Sequence, residues 1–441
     1  MEPNASSILR TYYTLAGLYT LAASVIWGVN TLFLLDAGLS ISQVFMANAA
    51  YSLGTVLFEI PTGVIADTLG RRFSFLLSIA VLSVTTIFYL GLWANGGSLL
   101  AFAIVSVFMG LGFTFYSGAM EAWVVDALNT VDYQGELDRV FARGQMVTGV
   151  AMLIGTVGGG LLGQISLGLP YIVRAGLLVG LLFIALVGMR EIGFTPRRVG
   201  IRQIPTEAGR VARAGITFGW GDRRLRLLML AGAVQTGFLM WAFYAWQPYF
   251  LDLLERDAVW VVGVVSALIS LSMIGGNAIV EWLTRFCGRR TTLMLWSAFF
   301  LGAGGIAAGV ANQFLFALIA LLAATTAMGV GMPVRQSYFH HVIPTKQRAT
   351  VVSFDSMISG VGGVGGQVGL GRLAESRGYS AGYIVGGAIA LLALPLVWGV
   401  RRMGGDPDYI VGKKAGVSAT CAAHGIPAIA GVESQAPEAL V

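Results

Sequence analysis

The hydrophobic positions of this chain fall into twelve long apolar runs, separated by polar connectors that are mostly short. A helix of about 20 residues crosses the ~30 Å hydrocarbon core of a bilayer, and each run is long enough to do so. The pattern therefore predicts an all-α membrane protein with twelve transmembrane helices. We place these helices near residues 12–36, 41–66, 72–94, 98–128, 139–166, 168–190, 225–251, 258–285, 289–310, 312–341, 346–372 and 379–401.

The order of the runs indicates an internal repeat. Gly-Arg-Arg at residues 70–72, after the second run, recurs at residues 288–290, after the eighth, at an offset of 218 residues. A short loop of one sequence at the same rank in each set of six runs indicates a duplicated unit, and parallel repeats build many secondary transporters. The predicted parts are a six-helix bundle over 1–190, a cytoplasmic linker over 191–224, a pseudo-symmetric bundle over 225–402 and a disordered cytoplasmic tail over 403–441.

Charge is scarce and unevenly placed. Only 11% of the residues are charged, against roughly 25% in an average soluble domain, which excludes a water-soluble enzyme. All but four of the 28 basic residues fall at one end of the predicted bundle, and Arg174, Arg256, Arg372 and Arg377 fall at the other. The positive-inside rule then places both termini in the cytoplasm and predicts a multi-pass protein of the plasma (inner) membrane. The net charge of +6 is thus a topology signal and does not predict nucleic-acid binding.

The sequence has few residues that could hold a metal or a cofactor. His340 and His341 are adjacent, and neither they nor the two cysteines have the spacing of a zinc site. The two G-x-G-x-x-G matches, at 158–163 and 360–365, lie inside apolar runs, where small residues indicate close helix packing. We expect no metal, no cofactor and no enzymatic activity.

Residues 63–72, at the end of the second run, read GVIADTLGRR. This stretch closely resembles motif A of the major facilitator superfamily, G-x-x-x-D-(R/K)-x-G-R-(R/K), with Thr68 in place of a base. With twelve helices and a second, degenerate copy of the loop, the chain is similar over about residues 10–402 to that superfamily and to its drug/proton antiporters. The resemblance to motif C of the proton-coupled exporters is weaker, because Thr156 stands where that motif has a proline.

The resemblance implies the fold of that superfamily, a carrier function and a latch between the two bundles. In the family, the aspartate of motif A docks against helix 11, and the first arginine of the loop pairs with an acid at the end of helix 4. The latch residues implied here are Gly63, Asp67, Gly70, Arg71, Arg72 and Asp126.

Four acids lie clearly inside apolar runs: Glu59, Glu121, Glu281 and Asp355. An acid in hydrocarbon is costly unless it is protonated, paired or hydrated. Glu281 precedes Arg285 by four residues, the spacing of a helical ion pair. Glu59 could similarly be a partner for Arg143. The functional alternative makes Glu59, Glu121 and Asp355 candidates for proton coupling.

Aromatic and polar side chains of the first, fourth, seventh and tenth runs predict a substrate cavity. The candidates are Trp27, Asn30, Tyr116, Glu121, Trp241, Tyr244 and Arg335. Such a lining suits a lipophilic organic molecule, although ordinary packing would account for many of the aromatic rings. Arg335 could attract an anionic substrate, pair with Glu121, or extend its guanidinium to the inner surface.

The sequence thus predicts a monomeric carrier that exports small lipophilic organic compounds, coupled to protons, by alternating access across the bilayer. An uptake carrier of the same fold is the alternative. A non-transporting receptor is a more distant alternative, because it would not need charged side chains at low dielectric.

Overall fold

The computed structural model describes residues 4–194, 206, 209, 213, 215–255, 258–343 and 348–410. Apart from an isolated bridge between Arg289 and Tyr409, the regular structure of these residues is helical. The predicted all-α membrane fold is confirmed.

Eight helices come from the N-terminal half of the described chain. They are α1 (Ala5–Ser24), α2 (Asn30–Asp36), α3 (Ile41–Leu69), α4 (Arg71–Ala94), α5 (Leu99–Tyr116), α6 (Ala119–Thr130), α7 (Leu137–Ile165) and α8 (Leu169–Gly188).

Seven α-helices follow in the C-terminal half, between a π-helix at Gly215–Trp220 and a short 3₁₀ turn at Asp406–Asp408. They are α9 (Arg223–Leu254), α10 (Val259–Ala278), α11 (Val280–Phe286), α12 (Arg290–Val310), α13 (Phe314–Val342), α14 (Arg348–Leu391) and α15 (Ala393–Met403).

These helices make twelve passes in the described chain. Ten helical stretches are long and apolar enough to cross a membrane, and one of them, Val351–Met403, has 53 residues. That length holds two passes of about 20 residues, and the chain turns between them at Gly378, whose φ of 81° suits glycine. The twelfth pass is the first run, which is divided into α1 and α2 and is not among the ten.

Three spans are interrupted where the apolar pattern is continuous. The first breaks over residues 25–29, the fourth at Ser117–Gly118, and the eighth at Ile279. Gly118 has a φ of 74°, a conformation that glycine adopts without strain. The apolar runs continue across these breaks, so the length of the runs does not predict them.

The core follows the two halves. One cluster of buried side chains runs from Ile8 to Met189, and two others belong to the C-terminal half, with Phe45 of α3 joined to one of them. Between the halves, Gly160 of α7 lies so close to Gly263 of α10 that a Cβ on either would overlap the other backbone. Small residues at such crossings let helices approach closely.

We call the end of the bundle that carries the loop at residues 70–72 the motif face, and the other end the opposite face. Successive passes alternate in direction, so residues 189–194, 287–289 and 404–410 also lie at the motif face.

Candidate functional site

Arg71 lies between two carboxylates at the motif face. Its Nη1 is 2.6 Å from Oδ1 of Asp67, and its Nε is 4.0 Å from Oδ2 of Asp126. Asp67 belongs to the last turn of α3 and Asp126 to α6, so the arginine joins the second span to the fourth. The docking of Asp67 against helix 11 stays a prediction, because the side chains of residues 344–350 are outside the described residues.

Glu191 holds the same loop from the other side. Its Oε2 accepts a hydrogen bond of 2.8 Å from the backbone N–H of Arg72, in the first turn of α4. Gly70 has a φ of 112°, which favours glycine, and a Cβ there would displace the Glu191 carboxylate. Burial raises the pKa of Glu191. Gly63, by contrast, contacts nothing that a Cβ would disturb.

An equivalent contact occurs in the C-terminal half. Oδ1 of Asp408 accepts a hydrogen bond of 2.9 Å from the N–H of Thr291, in the first turn of α12. Arg290 donates to the backbone carbonyls of Pro407 and Tyr409, at 2.8 and 2.7 Å. Residues 404–410 are therefore ordered, although the sequence predicts a disordered tail from 403. Sequence reasoning singled out neither Glu191 nor Asp408, but both follow the sixth span of their half.

A cavity of about 960 Å³ separates the two halves near the motif face. We call it the vestibule; α1, α6 and α7 line it on one side, and Ile274 and Asn277 of α10 on the other. Tyr116 and Glu121 are on its wall, and Glu121 is exposed. Glu121 is in the first turn of α6, where the positive end of the helix dipole favours a carboxylate.

Glu59 is also exposed, in the span just before Pro61. Its Oε1 accepts a hydrogen bond of 3.5 Å from the Ser117 hydroxyl, at the break of the fourth span. Among the described residues Glu59 forms no ion pair with Arg143, the partner that the sequence suggested.

A second cavity, of about 100 Å³, lies deeper in the N-terminal half. We call it the tyrosine cavity, because Tyr19, Tyr51, Tyr89 and Tyr244 line it, together with Trp27, Asn30, Asn48 and Arg174. It brings together three predicted substrate-cavity residues: Trp27, Asn30 and Tyr244. Arg174, which the charge count placed at an outer helix end, is instead 5% exposed and inside the bundle.

The break in the first span lies beside the tyrosine cavity and is held by Gln247 of α9. Oε1 of Gln247 accepts from the N–H of Thr31 at 2.9 Å, and its Nε2 donates to the carbonyl of Trp27 at 2.7 Å. The Thr31 hydroxyl donates to the carbonyl of Tyr244 at 2.8 Å. These bonds satisfy backbone groups that the break leaves unpaired, and they join the two halves.

Arg335 of α13 is paired within its own half. It binds Asp355 of α14 through two hydrogen bonds, of 3.0 Å from Nη1 and 2.5 Å from Nη2, and Nη2 also donates to the carbonyl of Leu228. The guanidinium lies over the ring of Phe339. It therefore contacts neither Glu121 nor the vestibule, although it lines a separate cavity of about 220 Å³.

Trp241 lines neither the vestibule nor the tyrosine cavity. It is fully buried, and its indole packs against Phe45 and Tyr383 in the core of the C-terminal half. Among the described residues, no group of three or more His, Cys, Asp or Glu side chains is placed to hold a metal ion.

Comparisons with known proteins agree with this architecture. The family model described as Major Facilitator Superfamily matches residues 13–285 and 260–417. The chain is 21% identical over 402 residues to an uncharacterized MFS-type transporter, YxaM, of Bacillus subtilis (strain 168), covering 88% of this chain and 94% of that protein.

Two crystal structures share the fold. The nucleoside transporter NupG (D323A mutant) matches with a TM-score of 0.73 and 12% identity, covering 90% of this chain and 100% of that one. A D-xylose-proton symporter matches with a TM-score of 0.66 and 13% identity, covering 89% and 97%. The chain is a multi-pass integral membrane protein, and it belongs to the major facilitator superfamily of secondary transporters.

Proposed function

We propose that this transporter exports small lipophilic organic compounds in exchange for protons, by alternating access. The observation that carries the proposal is the vestibule, which opens a volume of about 960 Å³ between the halves and has Glu121 on its wall. Because the motif face holds most of the basic residues, the positive-inside rule makes it cytoplasmic. The vestibule then receives substrate from the cytoplasm.

Glu59 and Glu121 are the acids that would carry the proton. Glu59 has a serine hydroxyl as its partner, and across the described residues Glu121 forms no ion pair, so neither is held in the charged form by a neighbouring base. A carboxyl group without such a base loses its charge more readily when the site closes and its hydration is removed. Closure after the proton enters from the opposite face would thus favour the protonated form, and reopening at the motif face would favour release of the proton to the cytoplasm.

The cluster at the motif face would set the balance between the two states. Asp67 is bound to Arg71, and Arg71 reaches toward Asp126, so the loop between α3 and α4 moves with α6 as one body. Replacing Asp67 with Asn removes the carboxylate charge that Arg71 binds. We expect the Asp67→Asn protein to insert normally and to transport poorly.

Everted membrane vesicles test the proposal directly, because their exposed surface is then the motif face. The vesicles are energised to an acid interior, and a pH-sensitive dye is followed while benzoate, benzamide or benzyltrimethylammonium is added. An exporter moves the compound inward and protons outward, so at least one of these probes dissipates the gradient.

The Glu121→Gln variant should abolish that dissipation, while Glu281→Gln, at an exposed ion pair, should leave it intact. A response of equal size in Glu121→Gln vesicles would contradict the role of this acid. Dissipation only when the probe is loaded inside the vesicles would assign proton-coupled uptake instead.

A further inference from the structure

Arg174 is a buried charge for which the fold supplies no counter-charge. The residue belongs to α8, five residues from its first residue, and is 5% exposed. Its Nε has no hydrogen-bond acceptor, and among the described residues no Asp or Glu forms an ion pair with it. A guanidinium inside a membrane protein is costly without an anionic partner, so its neutralisation must come from something that binds.

We propose that Arg174 and Asn48 form a subsite in the tyrosine cavity for the anionic group of a small organic acid. The inference rests on the proposed function, because it names the class of compound that the carrier takes. A carboxylate is the best match, since it can accept two parallel hydrogen bonds from one guanidinium.

Asn48 provides a second donor without an acceptor. The Tyr171 hydroxyl donates to Oδ1 of Asn30 at 2.8 Å, and Nδ2 of Asn30 donates to Oδ1 of Asn48 at 3.0 Å. This chain fixes the orientation of the Asn48 amide and leaves its Nδ2 buried without a partner. Two unsatisfied donors from different spans, Arg174 and Asn48, therefore line one cavity. Buried donors are normally satisfied, and an anion would satisfy both.

The rest of the lining suits the organic part of such a compound. Tyr19, Tyr51, Tyr89, Tyr244 and Trp27 supply aromatic surface, and no carboxylate is among the lining residues. The cavity is small, with a volume of about 100 Å³. The cavity as it stands therefore accepts an acid head group with a short apolar body, and a longer body must extend out of it.

The exit for that longer body is toward the vestibule. Tyr19 lines the tyrosine cavity and Tyr116 lines the vestibule, and their rings are stacked with centroids 3.7 Å apart. The stacked pair is a wall between the two volumes. A compound entering from the vestibule reaches Arg174 when these rings separate.

Binding to the purified full-length protein tests the subsite without requiring transport. Thermal unfolding in lipid nanodiscs is followed at neutral pH with isobutyrate and benzoate, and with the uncharged isosteres isobutyramide and benzamide. We expect the acids, and not the amides, to raise the unfolding temperature of the wild type. Arg174→Gln should lose this response, Arg174→Lys should weaken it at least tenfold in half-maximal concentration, and Arg372→Gln, an exposed arginine outside the cavity, should keep it.

A second variant keeps the guanidinium in place. Asn48→Asp puts a carboxylate on the cavity wall, which should compete with the added acid and abolish its effect even though Arg174 is present. Equal shifts from acids and amides, or acid-induced shifts that survive in both Arg174→Gln and Asn48→Asp, would overturn the proposal, as would the absence of any acid-induced shift. If the acids bind but no probe is transported in the vesicles, the subsite proposal stands and the exporter proposal fails. If a probe is transported but binding does not depend on Arg174, the exporter proposal stands and the subsite proposal fails.

Discussion

The two halves of this transporter each hold an arginine inside the bundle, and they treat it in opposite ways. Arg335 lies in a fork with both oxygens of Asp355 and has a backbone carbonyl as a third acceptor. Arg174 lies among tyrosines and asparagines with no carboxylate to neutralise it. The first arrangement supplies a counter-charge, although the Arg335 Nε has no acceptor, so we assign it to holding α13 against α14. The second supplies none, and a buried charge without a counter-charge indicates a ligand.

Breaking the Arg335–Asp355 pair should have the largest effect. Asp355→Ala leaves the Arg335 guanidinium without its partner in a pair whose side chains are 25% and 12% exposed. Removing one member of a buried pair typically costs about 3–5 kcal/mol, and we expect the lower end of that range here. We expect that loss in the free energy of unfolding, measured by denaturant titration in mixed micelles. The double variant Arg335→Met/Asp355→Leu should recover most of it. If Asp355→Ala is as stable as the wild type, the pairing of Arg335 does not distinguish it from Arg174.

Removing the unpaired arginine should have the opposite sign. Arg174→Met deletes a buried group whose unsatisfied donor costs about 1–3 kcal/mol. Without added acid, we expect the free energy of unfolding to stay the same or rise by about that amount. A marked loss of stability in Arg174→Met, similar to that of Asp355→Ala, would show that Arg174 has a structural partner.

Lysine substitutions should separate the two sites by geometry. Lysine keeps the charge but cannot reproduce the planar fork, so Arg335→Lys should cost about 1–2 kcal/mol of stability. Arg174→Lys has no fork to lose in the unliganded protein and should change stability by less than about 0.5 kcal/mol. Thermal unfolding of both variants in the same nanodiscs gives the comparison, and equal losses would contradict it.

An exposed pair gives the smallest expected effect and the baseline. Glu281 and Arg285 form an ion pair of 3.0 Å, with side chains 84% and 68% exposed. Surface pairs contribute about 0–1 kcal/mol, so we expect Glu281→Gln to change the free energy of unfolding by less than about 0.5 kcal/mol. A larger loss would mean that exposure does not set the value of an ion pair in this protein.

Much of the fold could be predicted from sequence, because the length of an apolar run directly reports a membrane crossing. The Glu281–Arg285 pair was also predictable, since a helix brings residues four apart together. The pairing of Arg335 with Asp355 was not, because the two belong to different spans and their register depends on packing. In a helix that is apolar all round, hydropathy gives little indication of which face meets which neighbour.

The environment of Arg174 was also beyond what the sequence pattern could predict. Counting bases by helix end classed this arginine with the outer loops, although a position inside the sixth apolar run was a signal for an intramembrane charge. Its surroundings come from Tyr19, Asn48, Tyr89 and Tyr244, which belong to four other spans. No local pattern connects them, so only the folded arrangement reveals the cavity.

The carboxylates of Glu191 and Asp408 have a consequence for how such a protein could be built. Each follows the last span of its half and caps the first turn of that half's third span, so each half fastens its own end. A unit that is fastened in this way does not depend on the segment that leads out of it. If the halves arose by duplication, as the Gly-Arg-Arg repeat predicts, connectors of varied length and composition could join them, because each unit keeps its own closure.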